Sequence, residues 1–594
     1  MAESTRVPFW PLFICWIATA AALVARALLM GETTPLILDT DDAMRLTQVH
    51  DLLAGQGWYD SIQHRLNTPY GAEIHWSRLI DAPLAGLLLL LRGIVGNAAD
   101  PALAYMWPLL LLGGFLWLVA RIALQLGGPR ALWPALLLPL VTLVTMAEFA
   151  PGRLDHHAVQ ILLALVMLLG ALLAAADWRG ALLSGIAAGL GLTIGIEALP
   201  MVAASVLALG LLWIGDGRHG STLRAFGLAL AATTLLGLMS SIAPNRWLVP
   251  GADAISATFA LAALLCGLAL VALSLLNIAG QGLRLAAGIA AGVLVLGLIV
   301  LSYPPLLAGP YGLVDPWLRD NWIDRIEEAA PFVTSLMAEP VYALAAGIPV
   351  LTAILVALWN IVSASERRRP WLIYLCFLMI ALFVMALQIR AARFAMPLAI
   401  PGCAVLIAMA WRRMVTRNGF GPIFALLGSV IASSGLAIAP LVAIALLAQP
   451  GSADAAADPL RAARNACLMP GAFRDLAGLP PERVMAPIDL GSHLLLHTPH
   501  AVVAAPYHRN GAGVRDAFRF FNGPIAEARA VLEARGVGLV VICPAMREIR
   551  GLVDYTPDSF VSLFAADKLP AWLREVTLPG GVLRIYSVEP ELGP

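Results

Sequence analysis

Charged side chains are scarce in this chain of 594 residues: only 13% are Asp, Glu, Lys or Arg, and their formal charges sum to zero. A balanced charge gives no global electrostatic argument for a nucleic acid or another acidic partner. No Gly-rich phosphate loop stands in the strand-to-helix context of a nucleotide-binding site, so a soluble ATPase is not indicated. The first apolar run, 8–29, lacks a small-residue cleavage site, which favours a retained membrane anchor over a removed signal peptide.

Apolar residues are abundant instead. They make up 60% of the chain, and they occur in runs of roughly 20 residues, the length that crosses a bilayer. The sequence therefore predicts a polytopic α-helical membrane protein with about 13 transmembrane helices. The segment 82–96 is short and contains Arg92, so we predict that it lies in the membrane plane. The predicted spans are 8–29, 102–124, 131–147, 158–176, 181–196, 199–214, 225–243, 254–275, 285–303, 341–361, 371–388, 395–411 and 420–448.

Basic clusters orient these spans, because short loops rich in Arg and Lys stay in the cytoplasm. With a cytoplasmic N-terminus, ERRRP (366–370) and WRRMVTR (411–417) face the cytoplasm. The other face receives a first external loop at 30–101, a long external loop at 304–340 and the C-terminal tail. Nine of the ten histidines lie on that face. We therefore expect a functional site at the periplasmic face of a bacterial inner membrane.

The C-terminal tail differs in kind from the rest of the chain. Strand-like runs such as AVVAAP and VGLVVICP alternate with the helical run GPIAEARAVLEARG, after the polar linker QPGSADAAADP. This pattern predicts a transmembrane domain at 1–448, including both external loops, and a small periplasmic α/β domain at 449–594. Cys467 and Cys543 fall in that domain, where a location outside the cytoplasm permits a disulfide without requiring one.

Three carboxylates follow the first span in the sequence LDTDDAMR: Asp39, Asp41 and Asp42. Carboxylates this close repel one another unless a cation or a basic group lies among them, which favours a hard metal ion. The same residues also fit a helix N-cap followed by acidic residues in the first turn. Their spacing leaves both interpretations open.

A second cluster lies in RLDHH, where Arg153, Asp155, His156 and His157 occupy a turn between two apolar runs. A carboxylate and an imidazole suit a divalent ion such as Mn²⁺ or Mg²⁺. Histidines in a short interfacial turn are also often only solvated. Because the turn lies on the same predicted face as the first cluster, the two clusters together favour a site.

Two more segments carry candidate groups. The loop 304–340 contains Glu327 and Glu328 and either folds over a site or forms a static interfacial helix. In QIRAARFAMPLAIP, Arg390 and Arg393 lie at the external end of a span. Arginine at such a position either binds phosphate through paired hydrogen bonds or extends to lipid headgroups.

With these motifs the chain resembles the catalytic subunit of oligosaccharyltransferase and its single-subunit bacterial and archaeal relatives, which have the C-type glycosyltransferase (GT-C) fold. The resemblance covers nearly the whole chain and rests on the span count, the two acidic motifs, the long loop 304–340 and the external C-terminal domain. It implies a metal-assisted glycosyltransferase that moves a sugar or oligosaccharide from a polyprenyl-phosphate or polyprenyl-pyrophosphate donor to an acceptor on the external face. The metal would be Mn²⁺ or Mg²⁺.

The resemblance also implies roles for single residues. Asp41 or Asp42 would be the first-loop acid that touches the metal and the acceptor, and Glu328, in IEEAAP, would be the external-loop glutamate. The metal ligands would be Asp41, Asp155, His157 and Glu328, and the donor phosphates would contact Arg153, Arg393 and Arg390. Further candidates are Asp39, His75, His156 and Asp489.

The chain departs from the family in the segment that reads an asparagine sequon. The Trp-Trp-Asp motif appears only as APIDLGSH, with Asp489 and Gly491 but no tryptophan. The acceptor class is therefore open among protein, lipid and polysaccharide. A monosaccharide transferase of the same fold, modifying lipid A or an exported polysaccharide, shares every other motif. A transporter or flippase could use Glu197 in its path, but the sequence has no internal repeat of the kind that transporters usually show.

Overall fold

The structure is a computed structural model that describes residues 6–363, 368–447, 460–546, 548–550, 555–577 and 580–589. The predicted linker, 449–459, lies outside the described residues, as do the first two residues of ERRRP. The helices that precede the tail are α1 (Phe9–Met30), α2 (Thr40–Leu53), α3 (Arg78–Val95), α4 (Ala99–Gly127), α5 (Leu132–Leu137), α6 (Leu143–Ala147), α7 (His157–Ala174), α8 (Trp178–Ile194), α9 (Leu199–Gly215), α10 (Gly220–Ser241), α11 (Ala257–Leu275), α12 (Gln281–Ser302), α13 (Pro316–Asn321), α14 (Phe332–Ala338), α15 (Pro340–Ser363), α16 (Arg368–Leu387), α17 (Ala392–Thr416), α18 (Phe420–Ser433) and α19 (Gly435–Leu447).

Ten helical segments of the described chain are long and apolar enough to cross a membrane, and a bent pair raises this number to 11. Each of the ten overlaps a predicted span, so the chain is a multi-pass membrane protein. The ten segments are Phe9–Met30, Arg78–Gly127, His157–Ala174, Ile196–Gly215, Gly217–Ser241, Ala257–Leu275, Gln281–Ser302, Pro340–Ser363, Arg368–Leu387 and Ile389–Thr416.

The other three predicted spans are helical but short or broken, which explains the difference from about 13. Prolines at 129, 134 and 139 divide the predicted span 131–147 into α5, a 3-10 turn and α6, because proline cannot donate the backbone hydrogen bond of a helix interior. The helix α8 has 17 residues. The last span bends by 92° between α18 and α19, where the extended Ser434 donates its hydroxyl hydrogen to the carbonyl of Val141, 3.2 Å away.

The apolar segment 82–96 belongs to α3, which begins at Arg78 after the N-cap Ser77. Residues 80, 84, 88 and 91 are buried, so one helical stripe of α3 packs against the protein while Arg92 is exposed. A 3-10 turn at Gly96–Ala98 leads directly into α4. The placement of this segment in the membrane plane stays a prediction.

The tail forms the predicted α/β fold. Its elements are α20 (Arg461–Leu468), α21 (Arg474–Ala477), β3 (Arg483–Met485), α22 (Gly491–His497), β4 (Ala501–Val502), α23 (Gly511–Asn522), α24 (Ile525–Arg535), β5 (Leu539–Ile542), α25 (Phe560–Ala565), β6 (Leu573–Glu575) and β7 (Arg584–Val588). They build a sheet in the order β4-β3-β5-β7-β6. The strand β3 is parallel to β4 and β5, whereas β7 is antiparallel to β5 and β6. Cys467 and Cys543 form a disulfide.

The loop 30–101, for which the sequence predicts an external position, packs into this α/β fold. It contains an antiparallel hairpin of β1 (Ile62–Gln63) and β2 (Ala72–Glu73). The residues between these two strands extend the sheet at its β4 edge. Leu66 pairs with Val502 as a parallel bridge, and the backbone N–H of Val502 donates to the carbonyl of Arg65 at 2.7 Å. The Arg65 guanidinium donates to the carbonyls of Leu495 and Thr498 at 2.8 and 2.9 Å. The loop and the tail therefore share one apolar core.

Candidate functional site

The helix α2 begins with the predicted acidic motif. Asp39 is the N-cap, and its carboxylate accepts a hydrogen bond from the backbone N–H of Asp41 at 2.9 Å. The buried Asp42 carboxylate accepts from the backbone N–H groups of Leu154 and Asp155, at 2.6 and 2.8 Å. Capping and interaction with the second motif therefore occur together: Asp39 caps α2 and also contacts Arg153, while Asp42 binds the backbone of the second motif.

Arg153 lies at the centre of the second motif and contacts acids from both. Its guanidinium is 2.6 Å from Asp39, 3.2 Å from Asp42 and 3.4 Å from Glu148, and it also pairs with Asp155. Arg153 and the five acids around it are here called the acidic cluster; the acids are Asp39, Asp41, Asp42, Glu148 and Asp155. The turn comes close to the chain before α2, because Gly152 has a φ of +99° and a Cβ there would collide with the carbonyl oxygen of Leu36.

Burial and charge act together on the acidic cluster. Burial, then the charges of Asp39 and Asp155, raise the pKa of Asp41 to about 7. Burial opposes ionisation of Asp155, but Arg153, His156, Arg393 and the backbone N–H of His157 together outweigh it and lower the pKa of Asp155. The pKa of Arg153 is raised well above its ordinary value, because the surrounding carboxylates outweigh its own burial. The guanidinium thus stays charged and holds the carboxylates together.

The two histidines of RLDHH face different partners. The backbone N–H of His157 donates to Asp155 at 3.0 Å, and its Nε2 lies 3.9 Å from the same carboxylate. His156 Nε2 lies 4.0 Å from Glu197, which also accepts a hydrogen bond from Gln160 at 3.1 Å. Within the described chain, the Nδ1 atoms of both histidines are buried without a hydrogen-bond partner. The described part of the protein therefore supplies no hydrogen bond to either nitrogen.

Arg393 links the loop 304–340 to the acidic cluster. Its guanidinium is 3.2 Å from Glu328 and 3.8 Å from Glu148, and Glu148 in turn contacts Arg153. The side chain of Glu328 is 70% exposed, so the contact does not bury it. The predicted phosphate ligands Arg393 and Arg153 and the predicted catalytic residue Glu328 are thus connected by successive ion pairs.

A cavity of about 1680 Å³, here called the main cavity, opens beside these groups. Among the predicted site residues it is lined by Asp39, Asp41, Asp42, His75, Arg153, His156, His157, Glu328, Arg390, Arg393 and Asp489. Asp155 lies behind this wall, in contact with Arg153. All of the predicted residues are therefore in or next to one cavity, while their individual roles stay predictions.

The weaker candidates are placed differently from one another. His75 lies with its ring 4.6 Å from that of His508, and burial, then His508 and Arg509, lower its pKa to about 3. Arg390 donates to Gln388 at 2.9 Å. Asp489 is exposed in the cavity wall, and its backbone N–H donates to Glu548 at 3.2 Å.

The described residues contain no group of three or more His, Cys, Asp or Glu side chains arranged to hold a metal ion. The donor chemistry nevertheless fits a divalent cation. The Asp41 carboxylate faces the main cavity and makes no hydrogen bond or ion pair with any other described residue. The buried Nδ1 of His157 is also without a partner in that part of the chain. Carboxylate oxygen and neutral imidazole nitrogen are ligands that Mn²⁺ accepts.

Sequence reasoning missed three members of this region. Glu148 ends the apolar run 131–147, and its position directly before the RLDHH turn was the available signal. Asp253 and His508 also line the main cavity and lie 2.7 Å apart. They are separated by 255 residues, so no local pattern connects them.

No protein-family model matches the sequence, and no curated protein matches it. Solved structures do match the fold. The archaeal oligosaccharyltransferase AglB from Archaeoglobus fulgidus, in complex with an inhibitory peptide and a dolichol-phosphate, gives a TM-score of 0.63 at 15% identity, covering 97% of this chain and 75% of that chain.

Two further structures of the Archaeoglobus fulgidus oligosaccharyltransferase agree. The form tethered with an acceptor peptide containing the NVT sequon gives a TM-score of 0.60 at 15% identity, covering 96% of this chain and 74% of that chain. The complex with Zn and sulfate gives a TM-score of 0.57 at 13% identity, covering 96% of this chain and 73% of that chain. These similarities confirm the predicted fold class: the chain has the GT-C-type membrane fold of the archaeal oligosaccharyltransferase structures.

Proposed function

We propose that the protein is a membrane glycosyltransferase that moves a glycan from a polyprenyl-phosphate or polyprenyl-pyrophosphate donor to an acceptor at the periplasmic face of a bacterial inner membrane. The observation that carries the proposal is the line of ion pairs from Glu328 through Arg393 and Glu148 to Arg153, along one cavity. The similar archaeal structures, in complex with a dolichol-phosphate and with an acceptor peptide, support a lipid-linked donor and a separate acceptor.

On the donor side, Arg393 and Arg390 bind the phosphate. Both line the main cavity next to the external end of α17, and guanidinium groups form paired hydrogen bonds with phosphate oxygens. Glu328 keeps Arg393 oriented through their contact at 3.2 Å. As the bond between the anomeric carbon and the phosphate oxygen breaks, its electron pair leaves with the phosphate, and these arginines stabilise the negative charge that develops.

On the acceptor side, Asp41 contacts the nucleophile. Its carboxylate is the member of the acidic cluster that faces the main cavity without another partner among the described residues. A hydroxyl acceptor attacks the anomeric carbon through its oxygen and gives its proton to Asp41, whereas an amide acceptor is oriented by the same carboxylate. A single displacement of this kind inverts the anomeric configuration.

A divalent cation, Mn²⁺ or Mg²⁺, would be held by Asp41, Asp155 and His157, with Glu328 as a further ligand. When bound, it supplies electrostatic stabilisation of the leaving phosphate. Arg153 favours the charged form of Asp155 and holds both Asp155 and Asp42 in position through its ion pairs. Arg153 thus positions the acidic side chains, whereas the cation would stabilise the leaving phosphate.

The test is release of the lipid carrier by the purified full-length protein with Mn²⁺ and radiolabelled polyprenyl-linked glycans from the cells that make it. We expect polyprenyl phosphate or pyrophosphate to be released together with a labelled acceptor, and EDTA to stop the reaction. Asp41→Asn should abolish release, whereas Asp60→Asn, at a half-buried aspartate of the loop 30–101 outside the main cavity, should not. Movement of intact labelled donor across vesicles without release would instead identify a flippase and overturn the proposal.

A further inference from the structure

One wall of the main cavity has no part in the proposed reaction. It is formed by α1 and α20 and is here called the basic wall; its described residues are Leu23, Arg26, Ala27, Met30, Arg461, Ala462, Arg464, Asn465 and Leu468. This set includes three arginines and no acid. Arg153 and Arg393, elsewhere in the cavity, already pair with carboxylates. The described residues of the basic wall therefore bring positive charge to the main cavity and no negative charge.

The basic wall lies at one end of a membrane-spanning helix. The helix α1 ends at Met30, and of its residues only Cys15 and Thr19 are buried. Arg26 is exposed and lies about one helical turn before that end. An arginine near the end of a span extends to the headgroups of the surrounding lipids. Because one face of α1 lines the main cavity while the rest is exposed, a lipid beside α1 can place its headgroup in the cavity.

The side chains of the basic wall suit a lipid with a phosphate. Guanidinium groups bind phosphate oxygens through paired hydrogen bonds, and Leu23, Met30 and Leu468 offer apolar contacts beside them. A peptide has backbone N–H groups that need acceptors. Among the side chains of the basic wall only that of Asn465 contains an oxygen. The basic wall therefore favours a phosphate-bearing lipid over a peptide.

The basic wall is separate from the arginines proposed for the donor. Arg390 and Arg393 lie at the start of α17, and α1 and α17 both pack against α4 and α5. The main cavity, of about 1680 Å³, is larger than the range of about 300–1,000 Å³ that encloses one small ligand. From the end of α1 the segment 30–42 continues along the same cavity to Asp41. A headgroup at the basic wall therefore has a path to Asp41 while the donor phosphate is bound by Arg393.

We propose that the acceptor is a membrane lipid whose headgroup carries a phosphate and a free hydroxyl, and that Arg26 and Arg461 bind this phosphate. The hydroxyl oxygen forms a bond to the anomeric carbon of the donor, and its proton goes to Asp41. The bond from the anomeric carbon to the donor phosphate breaks, and its electron pair leaves with that phosphate. This inference rests on the proposed function, because it takes Asp41 as the group that contacts the acceptor.

The test offers two acceptor fractions to the full-length protein in phosphatidylcholine vesicles. The donor is the radiolabelled polyprenyl-linked glycan fraction of the cells that make the protein. The acceptor is either the phosphate-bearing lipid fraction or the membrane-protein fraction of the same cells. Mild acid then cleaves the glycosyl phosphate bond of unused donor and leaves the glycosidic bond of a product intact. The labelled product is identified by mass spectrometry.

We expect acid-stable label on a phosphate-bearing lipid and none on protein. Arg26→Gln combined with Arg461→Gln should raise the KM for the acceptor lipid about tenfold and leave the KM for the donor unchanged. The control is Arg92→Gln, at an exposed arginine of α3 outside the main cavity, and it should change neither value.

The outcomes separate the inference from the proposed function. Label on protein or on a lipid without phosphate overturns the inference and leaves the proposed function in place. The same holds if the double variant raises the KM for the donor, or leaves the KM for the acceptor lipid unchanged. If the unaltered protein consumes the donor with neither fraction, both the proposed function and the inference fail.

Discussion

The guanidinium of Arg153 lies 2.6 Å from the carboxylate of Asp39, 114 residues earlier in the chain. The same guanidinium contacts Asp42, Asp155 and Glu148. One guanidinium thus contacts four acidic side chains that come from two separate segments.

Replacing Arg153 by Gln should therefore destabilise the protein and make it depend on metal. Removing one partner of a buried ion pair costs about 3–5 kcal/mol, because the remaining charges are uncompensated. Mn²⁺ should raise the thermal unfolding midpoint of Arg153→Gln more than that of the unaltered protein, since it can replace the lost positive charge. Equal shifts in both proteins would show that the carboxylates do not converge on a cation.

Asp42→Asn should lower the stability of the protein, whereas Asp41→Asn should lower its turnover. Both backbone hydrogen bonds reach one oxygen of Asp42, which asparagine keeps, but the other oxygen lies 3.2 Å from Arg153, so an amide NH₂ there would face the guanidinium and cost about 1–3 kcal/mol of stability. Asp41→Asn should unfold like the unaltered protein but lose about 10²-fold or more in turnover. Thermal unfolding and donor turnover, measured on the same preparations, separate the two effects. An active Asp41→Asn would remove Asp41 from the proposed chemistry.

Arg393→Lys should raise the KM for the lipid-linked donor more than it lowers kcat. Lysine keeps the charge but cannot form the paired hydrogen bonds of a guanidinium with phosphate, and we expect a loss of about tenfold. Arg319→Lys is the control and should leave the KM unchanged, because Arg319 is an exposed arginine of the loop 304–340 outside the main cavity. A change confined to kcat would argue against donor binding by Arg393.

Acid should loosen the contact between the tail and the chain before α2. His493 Nε2 lies 3.3 Å from the carbonyl oxygen of Ile37, and burial, then His497, lower the pKa of His493 from 6.5 to about 4. Between pH 4 and pH 6.5 His493 binds a proton in the unfolded chain but not in the folded protein. The free energy of unfolding therefore decreases as the pH falls from 6.5 toward 4.

His493→Gln should flatten that dependence, because glutamine does not titrate and can still donate to Ile37. The thermal unfolding midpoint of the variant should change less between pH 6.5 and 4.5 than that of the unaltered protein. His64→Gln, at an exposed histidine of the first loop, should leave the dependence as it is. Identical slopes for His493→Gln and the unaltered protein would exclude His493 as the responsible group.

Reduction of the Cys467–Cys543 disulfide should destabilise the tail. The bridge closes a loop with a sequence separation of 76 residues, and removing a native disulfide typically costs about 2–5 kcal/mol. Cys467→Ser with Cys543→Ser should lower the unfolding midpoint and make it insensitive to reducing agent. Cys266→Ser, at a free cysteine, should change neither property. Reaction of Cys467 or Cys543 in the unreduced protein with a thiol reagent would contradict the bridge.

The sequence predicted the membrane fold because apolar runs and basic clusters are local properties. It overstated the number of long spans, since hydropathy does not register the prolines of 129–139 or the bend at Ser434. It indicated both acidic motifs but not that Asp42 would accept from Leu154. Contacts such as Asp253 with His508 depend on packing between segments that are 255 residues apart.

Arg65 and Leu66 complete an edge of the C-terminal sheet from within the first external loop. The tail is therefore not a module that can be exchanged by itself. A chimera that takes the tail from another protein of this fold would place a foreign strand edge and foreign carbonyls against Arg65. An exchange of the tail therefore has to include at least residues 62–73, and specificity engineered into one must be engineered into both.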